Sequence, residues 1–258
     1  MRIIRQAKRA AATSSVPSFL RLKRRPLASL LFAMFALPMS DGKGWQNLQF
    51  SKIPSNKVGF AETGLSVEVK KSASPLIFPL KEPKKVSSVS IKGKVNRLIE
   101  FTEKIQGEKG ADDYVLRLGF VIPGKKTLNW AQRQIAADWV LKLFSLAPKD
   151  SGVDHIYFLN LGQRDEDRGR EREHPLSDLI KEKNEWVIKE AGAFELTAEF
   201  EKPKKVAAIW ISIDGDDTKA SFTTQIDSIV LNPDLKKQEA QEKKTGTENE
   251  EPTSTLEN

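Results

Sequence analysis

From Trp45 onward, apolar and polar residues alternate in short runs. "LSVEV" places Leu65, Val67 and Val69 on one side, and "VSIKGKV" does the same with Val89, Ile91 and Val95. "YVLRLGFVI" repeats it with Tyr114, Leu116, Leu118, Phe120 and Ile122. "IYFLNL", "WVIKE", "AFELTAEF", "VAAIWISI" and "FTTQIDSIVL" continue the theme. Successive side chains of a strand point to opposite faces, so this alternation predicts strands with one face on a core. Turn-forming stretches such as "PSNK", "KSASP", "KEPKK" and "IPGKK" separate the runs. The pattern predicts an all-β dominated chain folded as an antiparallel β-sandwich.

One stretch has a different period. In "NWAQRQIAADWVLKLFSLAP", Ala131, Ile135, Trp139 and Leu143 recur every fourth position, with Ala136, Val140 and Phe144 alongside. This predicts one amphipathic helix inserted between strands. Asn129 and Gln132 have capping-box spacing, and Pro148 stops the helix soon after Ala147.

The two ends differ from the middle. "RLKRRPLASLLFAMFALPMSDG" has a basic start, an apolar run from Leu27 to Leu37 and small residues at Ala36 and Ser40, which is the order of a secretory signal. Residues 1–40 are therefore expected to be a signal peptide, with cleavage within residues 36–42. Export to the periplasm or outside the cell follows from that reading. The apolar run is shorter than the roughly 20 residues of a membrane-spanning helix, so no integral span is expected in the mature chain. Residues 44–232 are expected to form a single sandwich domain. After Pro233 the sequence is charged and nearly free of large apolar side chains, which predicts a disordered tail over residues 233–258.

Charge and composition narrow the chemistry. The formal net charge is +7, but residues 1–40 hold eight of the 42 Lys and Arg and none of the 35 Asp and Glu. The rest is close to neutral, which argues against a nucleic-acid partner. There is no cysteine, so thiolate catalysis, zinc–thiolate sites and disulfides are excluded. Only two histidines are present, His155 and His174, and no nucleotide-binding glycine motif occurs. The mixed-charge run "QRDEDRGREREH" and His174 beside Pro175 are expected at the surface.

The candidate chemistry lies in "WISIDGDDTKASF". Three readings of its aspartates compete. As a structural calcium site, Asp214 and Asp216 would supply oxygens, with others from Asp227, Asn160 or the Asp112–Asp113 pair. As an acid/base pair, two carboxylates would cleave a glycosidic bond. As a plain connection, Gly and Asp would link two antiparallel strands, and this is the simplest. Sugar rings stack on aromatic faces while Asp, Asn, Gln and Arg contact hydroxyls. The residues assigned to ligand binding are Asp216, Asp217, Asn160, Trp130 and Arg117. Trp139 and Trp210 are expected in the core.

Four stretches taken together resemble a family of exported bacterial proteins, domain-of-unknown-function family 3047. They carry Trp45 and Phe50, Ser72-Ala73-Ser74, Asp112-Asp113 with Arg117, and the aspartate turn over residues 214–218. The resemblance covers residues 45–231. It implies a galactose-binding-like jelly roll and export, and no particular activity. The family pattern over "AFELTAEFEKP" is closer to a short helix, whereas the alternation of Phe194, Leu196, Ala198 and Phe200 predicts a strand.

Three functions are compatible with these features. The first is a non-catalytic exported sandwich that binds carbohydrate or envelope polysaccharide. The second is an envelope assembly protein that binds another protein. The third is a carbohydrate-active enzyme using Asp carboxylates. No cofactor is expected apart from the calcium just considered.

Overall fold

The computed structural model describes residues 33–102, 104–174 and 177–233. Most of the expected signal peptide and nearly all of the expected tail lie outside the described residues. Among the described residues eleven strands occur in chain order: β1 (Phe35–Ala36), β2 (Gln46–Asn47), β3 (Lys57–Ala61), β4 (Gly64–Lys70), β5 (Leu76–Val95), β6 (Arg117–Gly124), β7 (Gly152–Gly162), β8 (Glu171–His174), β9 (Ser177–Val187), β10 (Gly192–Ser212) and β11 (Ser221–Leu231). Helices α1 (Trp130–Ile135) and α2 (Asp138–Ser145) sit between β6 and β7.

Backbone hydrogen bonds join the strands in the order β3-β4-β11-β5-β10-β6-β7-β9-β8, with β1 on β11 and β2 on β5. Only β7 and β9 run parallel among these pairs. The sheet becomes a sandwich because β5 and β10 are long and bend together. Their register shifts between Glu199 and Lys204 and again between Val206 and Ala208. One half of each strand stays with β4 and β11, and the other half joins β6 and β7. Such irregularities let a strand turn a corner from one layer to the other.

The main core lies between the layers. It combines Leu65, Val67, Ile91 and Ile226 with Leu118, Phe120, Leu159, Ile209 and Ile211 from the other side. Two side-chain bonds cross it: Trp186 Nε1 donates to Thr197 O at 2.7 Å, and Thr224 Oγ1 donates to Val115 O at 2.9 Å. The alternation in the sequence selected these inward positions. "AFELTAEF" is strand, as its alternation predicts, with Leu196 and Ala198 buried.

A second, smaller core covers the outer face of the β6–β7 layer. Ile77, Val121, Ile156, Phe158 and Trp210 point outward there and pack beneath Leu143 and Phe144 of α2. The expected single helix is two helices. Its capping box forms as predicted, with Asn129 and Gln132 each bonding the other's backbone N–H. The chain then opens to extended geometry at Ala136 and Ala137. Alanines favour helix, so propensity does not explain the break. The α2 segment packs Leu143 and Phe144 on the sheet, whereas α1 buries no residue and leaves Ile135 87 % exposed.

The stretch after residue 33 is part of the fold. Phe35 and Ala36 pair with Leu231 and Val230, and Leu37 N donates to Ile229 O at 2.9 Å. Leu37 and Met39 are 5 % and 6 % exposed, and Trp45 Nε1 donates to Pro38 O at 2.6 Å. Residues 36–42, where cleavage is expected, overlap this packed segment. Burying two such side chains stabilises a domain substantially. A chain beginning at Asp41 is expected to be at least about 3 kcal/mol less stable in urea than one beginning at residue 33. Coincident unfolding midpoints would show that the segment contributes nothing.

Candidate functional site

The outer face of the β6–β7 layer is ordered in rows. Across β10, β6 and β7, Ala208 aligns with Val121 and Ile156, Trp210 with Gly119 and Phe158, and Ser212 with Arg117 and Asn160. Along the strands the face thus changes from aliphatic to aromatic to polar. Gly119 separates the two aromatic residues. A Cβ there would lie 2.6 Å from the Phe158 ring, so only glycine lets that ring lie over the strand.

A cavity of about 310 Å³ opens on this face. Its apolar wall is Trp210, Phe158, Ile156, Ile180, Phe50 and Trp139. Its polar end holds Ser212, Arg117, His174, the Asp112–Asp113 pair and Asp214, Asp216 and Asp217. Trp139 comes from α2, and Phe50 from the segment between β2 and β3.

Arg117 organises the polar end. It is 8 % exposed. Its Nη2 donates to Asp112 O at 2.8 Å and pairs closely with Asp214 Oδ2. Its Nη1 lies 3.6 Å from Asp112 Oδ2 and 3.8 Å from Glu182 Oε1. The guanidinium carbon stands 4.7 Å from the centre of the Tyr114 ring. A second arginine closes the network: Arg172 Nη2 reaches Asp112 Oδ1 at 2.7 Å and Glu182 Oε2 at 3.0 Å. His174 Nε2 lies 3.2 Å from Asp112 Oδ2. Beneath them, Asn160 Nδ2 donates to Glu182 Oε2 at 3.1 Å and to Asn184 Oδ1 at 3.2 Å.

The aspartate turn is locked to the loop before β6. Asp113 Oδ2 accepts from Thr218 N and Thr218 Oγ1, both at 2.6 Å, and its Oδ1 accepts from Asp217 N at 3.3 Å. In return, Asp217 Oδ2 accepts from Gly110 N at 3.2 Å and Asp112 N at 3.3 Å. Asp214 Oδ1 accepts from Tyr114 N at 3.1 Å, and Gly215 N donates to Ser72 O at 3.1 Å. This corrects the simplest reading of the turn. Its flanking strands β10 and β11 are not paired with each other; β10 lies on β5 and β6, and β11 on β4 and β5. The turn carries the chain from one layer of the sandwich to the other.

Electrostatics follow from this packing. Burial alone would raise Asp112, but Arg117, His174 and Arg172 overcome it and hold the group at about 2. Burial pushes Asp214 upward, against the pull of Arg117 and helped by Asp113. Burial, with Asp113 and Asp217 close by, also raises Asp216.

The residues expected to bind ligand are partly gathered here. Arg117, Asp216 and Asp217 line the cavity, and so does Asp214, which was expected at a metal. Asn160 is fully buried beneath it, bonded to Glu182 and Asn184, and is not among its lining residues. Trp130 is 77 % exposed on α1 and does not line it; Trp139, expected in the core, does. Trp210 is buried as expected, yet it also forms part of the wall. Sequence reasoning placed Arg172 and His174 on a solvated loop. They alternate with Glu171 and Glu173 along β8, so one side of "EREH" faces the network, and that short alternation was the available signal.

Of the oxygens expected for calcium, those of Asp214 and Asp227 are already occupied by other partners. Both Asp214 oxygens are engaged by Arg117 and Tyr114 N, and Asp227 lies exposed on β11 with Gln225 as its partner. Among the described residues, no group of three or more His, Asp or Glu side chains is arranged to hold a metal ion.

Two outcomes follow. Asp112 has a folded-state value below its ordinary 3.8, so its contribution is complete above that value and is lost as pH falls toward 2. Stability is expected to drop by about 2 kcal/mol over that window, and D112N to lack this component, in denaturation series at stepped pH. R117M leaves Asp112, Asp214 and Glu182 facing one another without their shared cation. It is expected to cost about 3–5 kcal/mol at neutral pH, with the loss shrinking as the carboxylates protonate. An R117M protein as stable as wild type would remove Arg117 from its organising place.

Neither family models nor curated protein sequences give a match to this chain. The likeness to family 3047 therefore stays a resemblance. Among solved structures, a "xylan-binding module CBM15" is 13 % identical with a TM-score of 0.32, over 78 % of this chain and 95 % of that one. The K3 cleaved adhesin domain of Lys-gingipain from Porphyromonas gingivalis is 9 % identical with a TM-score of 0.31, over 76 % and 99 %. The Emp47p carbohydrate recognition domain is 7 % identical with a TM-score of 0.32, over 76 % and 93 %. Scores this low carry no argument about ligand or activity. The β-sandwich rests on the strand order and the two-sided core.

Proposed function

We propose that this is an exported, non-catalytic domain that binds saccharide in the cavity on the outer face of the β6–β7 layer. One observation carries the reading: the aromatic row of Trp210 and Phe158, joined by Trp139 and Phe50, meets a rim of carboxylates, Ser212 and Arg117 within a single cavity. A sugar ring has the matching duality, with C–H faces that pack on aromatic rings and hydroxyls that both donate and accept. At about 310 Å³ the cavity is at the lower end of ligand-pocket sizes, roughly 300–1,000 Å³, which suits a short saccharide segment.

The excess of carboxylates disfavours a polyanionic glycan. Acid/base catalysis is also disfavoured, because Asp112, Asp113, Asp214 and Asp217 already accept bonds that hold the structure together. Export is supported by the signal-like order of residues 21–42. No helix among the described residues is long and apolar enough to cross a membrane. Binding to an envelope protein is the second reading, and it rests on exposed Trp130 and Ile135 of α1.

Loss of an aromatic face typically weakens ring contacts by about 0.5–1.5 kcal/mol beyond the lost area. W139A and F50A are each expected to reduce saccharide affinity about tenfold or more in titration calorimetry. Unchanged affinity in both variants would remove the cavity from the binding reaction. Absence of binding to every polysaccharide in a broad panel would overturn the proposed function.

A further inference from the structure

The carboxylates around the cavity are not equivalent. Asp112 is paired with Arg117 and Arg172, and Asp214 with Arg117 and Tyr114 N. Asp113 is held by Thr218, and Asp217 by the Gly110 and Asp112 N–H groups. Asp216 differs: apart from its own backbone N–H, no described residue donates a hydrogen bond to its carboxylate, which lines the cavity. Lys219 offers partial compensation from the exposed side, where its Nζ is bound to the Asp216 carbonyl oxygen. Five carboxylates line the cavity against one arginine and one histidine, with Arg172 just behind. Arg117 lines it too, buried by more than nine-tenths, and its Nε has no hydrogen-bond partner among the described residues.

We propose that the saccharide bound here carries a protonated primary amine, as in a hexosamine with a free amino group, and that Asp216 receives it. The proposal rests on the saccharide reading of the cavity and names the class of sugar. An ammonium brings one positive charge and three N–H donors, which suits a carboxylate to which no other described residue donates, in an acidic setting. Burial and the neighbouring Asp113 and Asp217 already raise the Asp216 carboxyl, which is how uncompensated negative charge shows itself. A divalent ion would need a cage of six or more oxygens, and that cage is not formed. The flat rings of Trp210, Phe158 and Trp139 suit the C–H face of a sugar better than a flexible basic peptide chain. An N-acetyl group in place of the amine removes the charge and two of the donors, so it is the discriminating change.

The test is calorimetric titration of the full chain at about pH 6 and low salt, where the amine is protonated and screening is weak. Three β-1,4-linked oligosaccharides of equal length are compared: one of glucosamine, one of N-acetylglucosamine and one of glucose. The glucosamine oligomer is expected to bind at least about tenfold more tightly than either of the others. In D216N that ratio is expected to fall to about one, with little change in melting temperature, since the Asp216 side chain accepts only from its own backbone N–H, a bond that the Asn oxygen can keep. Equal binding of all three by wild type would overturn the amine proposal and leave the saccharide reading standing. A glucosamine preference that survives in D216N would overturn the assignment to Asp216, and one that vanishes with a chelator would overturn the amine in favour of a metal. No binding to any saccharide, or tighter binding to a lysine oligomer than to every sugar, would overturn the saccharide reading together with the proposal.

Discussion

A guanidinium buried at the start of an interior strand, β6, is the constraint on which the candidate site depends. Removing a charge from water costs several kcal/mol unless good partners replace the hydration. Arg117 meets that demand by drawing three separate parts of the chain to itself: the loop holding Asp112, the turn holding Asp214 and the strand holding Glu182. Arg172 and His174 then attach β8 to the same carboxylates. The positions of the cavity's polar groups are consequences of satisfying one cation.

The aspartate turn acquires a structural task from this arrangement. It spans the layers of the sandwich, and a crossing of that kind has no ladder of strand hydrogen bonds to hold it. Asp113 and Asp217 supply the missing bonds by exchanging acceptors between two loops about one hundred residues apart in sequence, with sequence separations of 104 to 107. With four carboxylates so engaged, Asp216 is the one to which no other described residue donates a hydrogen bond. Gly119 works at the other end of the cavity, where its missing side chain lets Phe158 lie flat. Bonding at the polar end and an aromatic floor preform the cavity, and under the proposed saccharide reading that lowers the ordering cost of binding.

Some features were legible from residues alone and others were hidden for identifiable reasons. The inward faces of β4 and β11 were visible because burial on one side forces a strict alternation. The capping box was visible because it is local, a matter of Asn129 and Gln132 three residues apart. The interruption at Ala136 and Ala137 was not, since nothing in those side chains disfavours helix and the cause lies in what α2 packs against. That Trp139 lines the cavity and Trp130 does not was hidden for the same reason. Both sit on an amphipathic stretch, and only the sheet beneath α2 distinguishes the one that faces a cavity from the one that faces solvent.

Local chemistry and periodicity were enough to establish strands, their buried faces, a helical insertion and a stock of carboxylates near Gly215. They act within a few residues, so a sequence displays them directly. The partnership of Arg117 with Asp214, of Asp113 with Thr218 and of Arg172 with Asp112 arises from groups 60 to 105 residues apart, brought together by how β10 and β11 part between the layers. Whether a given aspartate is a structural acceptor or an open one depends on those distant donors. That distinction exists only once the sandwich has closed.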